Sequence, residues 1–119
     1  MLKKGALIAA LGYTIILAGV CLMSLKGLPD VPVSFADKIF HFLAYFVFVL
    51  LWYFALFFFF NLKKSKAVLY AFVWAVFFGL IIEVLQDTLT ASRALDVYDA
   101  LANSLGALIA SLVLWFKKR

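Results

Sequence analysis

The stretch GLIIEVLQDTLTASRALDVYDALAN, residues 79–103, holds the end of one apolar run and the start of another. The first run stops at Glu83 rather than at a lysine. Six charged or amide side chains follow: Gln86, Asp87, Arg93, Asp96, Asp99 and Asn103. Beyond both ends of the stretch the chain is again largely apolar. Two helices long enough to cross a hydrocarbon layer, joined by an acid-rich connection, account for this pattern.

Composition points to the same solvent. Of the 119 residues, 68% are apolar and only 14% are charged. A domain of this size in water leaves too much of its surface exposed to hide that fraction, whereas a bilayer accommodates it. The 14 phenylalanines, five tyrosines and three tryptophans suit a lipid-facing surface with interfacial anchors. The single cysteine, Cys21, excludes an intrachain disulfide. No CxxC or HExxH spacing marks a metal site, so neither a metal nor a cofactor is expected.

Working outward, the predicted architecture is all-α, a compact bundle of four transmembrane helices over a single membrane domain, 1–119. The spans are expected at about 5–25, 39–62, 67–85 and 97–116. Residues 26–38, KGLPDVPVSFADK, form the first connection, with Pro29 and Pro32 as breakers. Lys63–Lys66 form a short basic turn, and Gln86–Asp96 form the last connection. The first run also fits the basic start and apolar middle of a secretory signal. The membrane character of the remaining chain favours a retained span.

The formal charge is +5, and its placement is more informative than its sum. Eight of the eleven basic residues lie at the two termini and the middle turn: Lys3, Lys4, Lys63, Lys64, Lys66, Lys117, Lys118 and Arg119. No acid accompanies them. The other connections carry Lys26, Lys38 and Arg93 and are bordered by all six acids. The positive-inside rule then places both termini in the cytoplasm. Nucleic-acid binding is not expected, because these clusters punctuate apolar runs instead of forming a stripe on a soluble face.

The six acids Asp30, Asp37, Glu83, Asp87, Asp96 and Asp99 therefore converge on one membrane face, together with His41. Asp37, His41 and Tyr45 are four residues apart and stack on one helical face. Glu83 is followed by Gln86 and Asp87 at the next turn, and Asp96, Asp99 and Asn103 share a third stripe. Ser34 with Asp37, and Asp96 with Asp99, also fit N-terminal capping boxes. Capping accounts poorly for Glu83, which lies near a helix C-terminus, where the dipole disfavours an acid. Ionisable side chains at membrane depth face a bundle interior or a wet cavity.

At these residues the chain resembles the VanZ-like family of small bacterial integral membrane proteins. The likeness lies in DKIFHFLAYFVF (37–48), FGLIIEVLQ (78–86) and SRALDVYDALANSLGALIA (92–110), in that order. It implies a multi-pass protein of the bacterial cytoplasmic (inner) membrane. It also marks Asp37, Lys38, His41, Tyr45, Glu83, Gln86, Ser92, Arg93, Asp96, Asp99, Asn103 and Gly106 as family positions. One family member is associated with lowered glycopeptide susceptibility.

The expected ligand-binding set is Asp37, Lys38, His41, Tyr45, Glu83, Gln86, Arg93, Asp96, Asp99 and Asn103. Its acid–base candidates are His41, Glu83, Asp96 and Asp99. The first functional reading is an outward-facing polar site that binds or modifies a lipid-like cell-envelope molecule, or influences glycopeptide susceptibility. Arg93 and Lys38 would receive an anionic group. The alternative is a structural or accessory envelope protein whose polar cluster only stabilises the bundle, with a second copy or an envelope enzyme as partner. A small transporter ranks last, because nothing polar completes a path. No pattern identifies a nucleophile, so enzyme activity is left open.

Overall fold

The computed structural model describes residues 2–22, 35–89 and 97–117, with side chains described for 3–20, 39–85, 98 and 100–117. Four α-helices carry these residues: α1 (Leu2–Leu22), α2 (Phe35–Phe54), α3 (Lys64–Leu89) and α4 (Val97–Phe116). A π-helical segment, Ala55–Phe59, continues α2. Among the described residues three helical stretches are long and apolar enough to cross a membrane: Lys3–Val20, Ile39–Phe59 and Lys64–Leu85. The apolar part of α4, Ala100–Phe116, is shorter.

Helix directions follow from the contacts. Tyr13 and Thr14 of α1 bond to Ala44 and Trp52 of α2, and Val20 lines a groove with Phe40, so α1 and α2 are antiparallel. His41 meets Asn103 and Phe42 lies against Gly106, so α2 and α4 run parallel. Gly79 lies against Asn103 and Lys64 meets Lys117, so α3 opposes α4. Direction therefore alternates along the chain. The start of α1, the π-to-α3 turn and the end of α4 share one end of the bundle, and that end carries every lysine whose side chain is described. Glu83 and His41 lie toward the other end.

The turn at the basic end is built from the backbone. The π segment closes with Phe60 N–H donating to Ala55 C=O at 3.2 Å and Leu62 N–H to Leu56 C=O at 3.1 Å. Between them Asn61 takes φ 60°, the left-handed conformation that asparagine tolerates better than most residues with a Cβ. Lys63 C=O then accepts the first bond of α3 from Ala67 N–H at 2.8 Å. The sequence reading carried the second span to residue 62 and ended the third at 85. Helix α2 turns π-helical after Phe54, and α3 continues past its apolar stretch, which ends at Leu85, to Leu89.

In lipid, helices gain little from hiding apolar side chains from one another, so close packing and interhelical hydrogen bonds hold them together. The core shows both. Along α3 a small residue recurs every four positions: Ala67, Ala71, Ala75 and Gly79, all buried. The i±4 row of a helix is a ridge, and small side chains flatten it so that a neighbouring backbone can approach. On α4, Gly106 allows the closest approach. A Cβ there would collide with the Phe42 carbonyl oxygen and lie 3.0 Å from its carbon. The helix α1 is held by polar contacts. Tyr13 Oη donates to Ala44 C=O at 2.6 Å, and Trp52 Nε1 donates to Thr14 Oγ1 at 2.8 Å. Thr14 Oγ1 in turn donates to Ala10 C=O.

The centre is aromatic. Phe48 stacks on Phe78 at 5.0 Å between centroids, Tyr45 stacks on Phe48 at 5.7 Å, and Trp52 meets Trp74 edge to face at 6.1 Å. These rings fill the middle of the bundle, between the polar residues at one end and the lysines at the other.

Candidate functional site

Four polar side chains are sealed into the acid-rich half of the bundle. Tyr45 is 0% exposed, Glu83 1%, and His41 and Asn103 2% each. They come from three helices. The four-residue spacing of His41 and Tyr45 on α2 puts both on the inward face. Glu83 is the next member of the four-residue row on α3, one turn beyond Gly79. Asn103 lies on the buried face of α4 with Gly106 and Ala107.

A hydrogen bond crosses the site between α2 and α4, from His41 Nδ1 to Asn103 Oδ1 at 2.9 Å. With the amide in this orientation the proton of the bond sits on Nδ1. The Asn103 amide nitrogen is buried and has no hydrogen-bond partner among the described residues. Gly79 sets the floor beneath it. A Cβ at that position would lie 3.2 Å from Asn103 Nδ2 and 3.3 Å from Tyr45 Cε2. Phe40 covers His41 edge to face at 5.6 Å, and Phe78 packs on Tyr45 at 6.2 Å.

Of the residues expected from sequence, His41, Tyr45, Glu83 and Asn103 are thus gathered as buried side chains at one end of the bundle. The side chains of Asp37, Lys38, Gln86, Asp87 and Asp99 lie outside the described set, as do Arg93 and Asp96 entirely. The capping boxes at Ser34 and Asp96, Ser92, and the Cys21 side chain lie outside it as well. Among the described residues no three His, Cys, Asp or Glu side chains gather to hold a metal ion.

Gly79 is a point of close helix approach, and it also shapes the site. The signal for its place was the row Ala67, Ala71, Ala75, Gly79, Glu83. That spacing marks one face as small and inward before Glu83 joins it. A buried imidazole and carboxylate in a medium of low dielectric can exchange a proton or hold a ligand donor far more strongly than in water.

Comparison with known proteins shows the family. The VanZ/LLP1 family profile matches residues 11–118, nearly the whole chain. The chain belongs to the VanZ/LLP1 family. An uncharacterized protein of Schizosaccharomyces pombe is 37% identical to this VanZ/LLP1 chain over 94 residues, covering 76% of the chain and 55% of the relative. The chain therefore spans about half the length of the curated relative it matches. No solved structure matches it. The VanZ/LLP1 match includes all four buried polar residues and both packing glycines.

Proposed function

We propose that this VanZ/LLP1 membrane protein holds the polar part of a lipid-like envelope molecule at its acid-rich end. The observation that carries the reading is the burial of Glu83 and His41 within membrane-length helices. Ionisable side chains are costly at that depth and mark binding or proton-transfer sites by default. The amide nitrogen of Asn103 adds a buried donor suited to a ligand oxygen. A groove of about 280 Å³ between α1 and α2, lined by Ile16, Val20, Phe40 and Leu43 among others, is shaped for a hydrocarbon tail beside the polar set.

In this reading α4 is the fourth span. Its 20 residues rise roughly 30 Å, with Lys117 reaching the head-group region. Both termini lie in the cytoplasm and the polar site faces outward, where Arg93 and Lys38 receive the anionic head and Asp96 and Asp99 border it. An effect on glycopeptide susceptibility follows where the lipid carries a wall precursor.

The second reading is a structural lock. The complete burial of the four side chains and the bond between α2 and α4 favour it. Transport stands lowest, since stacked rings fill the path from Glu83 toward the basic end.

Native mass spectrometry of gently purified protein separates the first two. Wild type should retain a defined lipid from its own membrane that Glu83→Gln and Arg93→Ala both lose while staying helical. Equal retention in all three would overturn the binding reading. Loss of lipid together with loss of helix would assign the cluster to stability.

A further inference from the structure

The opposite end of the bundle carries features that the polar set does not use. The residues Lys64, at the start of α3, and Lys117, just after α4, are 53 apart in sequence and border one small cleft of about 50 Å³. Its wall is aromatic: Tyr53, Phe54, Phe57 and Phe58. We propose that this cleft is a second binding site, for the phosphate of an anionic phospholipid head group, formed by the Lys64 and Lys117 ammonium groups against that wall.

The π-helical segment builds the wall. In an α-helix, residues four apart are offset around the axis, whereas the wider i→i+5 turn brings them closer to eclipse. Tyr53 stacks on Phe57 at 5.6 Å and 13°, and Phe54 on Phe58 at 6.0 Å and 23°. Two ring stacks result, set edge to face against each other. Segments of this kind sit disproportionately at functional sites. Here the widened turn lies next to the lysines.

Both cations are placed by specific contacts. The Lys117 ammonium lies 5.8 Å from the Phe54 ring centroid, a cation–π position that turns it toward the cleft. The Lys64 ammonium donates to the Lys117 backbone carbonyl. That bond uses one of its three donors and covers a helix-end carbonyl that would otherwise repel an anion. No described acidic residue lies at this end. Two ammonium groups brought to one cleft without a carboxylate leave positive charge that a phosphate neutralises. Free phosphate has the same head chemistry, but the cleft opens among phenylalanines at the end of apolar helices, where the rest of the ligand is hydrocarbon. Lysines at this depth attract anionic lipid.

The site is roughly 28 Å along α3 from Glu83, so it stands or falls independently of the polar set. The test is native mass spectrometry of detergent-solubilised full-length protein titrated with dioctanoyl phosphatidylglycerol, with dioctanoyl phosphatidylcholine and inorganic phosphate as comparison probes. Wild type should bind one phosphatidylglycerol at this cleft. The Lys64→Gln/Lys117→Gln double variant should bind it at least about tenfold more weakly. Lys3→Gln/Lys4→Gln, which removes the same charge at the same end, should bind like wild type. Lys64→Arg/Lys117→Arg should restore binding, showing that loss in the glutamine variant is not misfolding. Equal weakening in both glutamine doubles, or none in either, would overturn the proposal. So would inorganic phosphate binding as tightly as the lipid, or equal binding of phosphatidylcholine.

Discussion

His41 and Asn103 are joined by a 2.9 Å hydrogen bond between residues 62 apart in sequence, both almost wholly buried. The bond ties α2 to α4 at the level where the two backbones come closest, one helical turn from the contact of Gly106 with Phe42. A polar pair and a glycine contact therefore fix the same crossing. Each needs the other. The pair is in reach because Gly106 lets the helices meet, and the bond between the imidazole and the amide oxygen closes only while they do.

Removing one partner should therefore cost more than the bond is worth. Asn103→Ala leaves a buried imidazole donor without its acceptor, a loss of about 1–3 kcal/mol. His41→Ala should cost a similar amount. The double variant should fall short of the sum by roughly 0.5–2 kcal/mol, since both changes remove the same bond. Thermal unfolding in detergent, followed by circular dichroism, measures all three. Strict additivity would show that the two side chains do not act as a pair.

The two packing glycines should respond differently to the same change. At Gly106 a methyl group meets the Phe42 backbone, which has no rotamer to yield, so Gly106→Ala should destabilise by about 3 kcal/mol or push α2 and α4 apart. At Gly79 the nearest atoms are side-chain atoms of Asn103 and Tyr45 at 3.2 and 3.3 Å, which can move by a few tenths of an ångström. The gain of about 1 kcal/mol in helix propensity offsets much of that strain. Gly79→Ala should leave stability within about 1 kcal/mol of wild type while disturbing the polar set. Unfolding midpoints of the two variants, measured side by side, check the order. A Gly79 variant less stable than the Gly106 variant would contradict the packing described.

The proposed orientation rests on the lysines gathered at one end. In a protein with Cys21 replaced, a single cysteine introduced near Lys64 should resist an impermeant thiol reagent added outside intact cells. One introduced near Val31 should react. The opposite pattern would invert the topology, and labelling of both would show that the apolar runs cross the bilayer a different number of times.

Some of this was settled by the chain itself. Apolar content, the lengths of the runs, and the separation of lysines from acids are local or summed properties. They specify the membrane as solvent, helices as the secondary structure, and which connections share an end. The four-residue spacing of His41 and Tyr45, and of Gly79 and Glu83, likewise fixes which side chains lie on one face of their own helix. Spacing does not say which helix that face will meet. In lipid every helix offers apolar surface to every other, so pairing depends on where backbones can come close and where buried hydrogen bonds can close. Only the tertiary structure brought Asn103 to His41 through Gly106, widened the helix after Phe54 into a π turn, and set Lys64 beside Lys117. Each of these depends on contacts between distant residues whose geometry no single run of sequence contains.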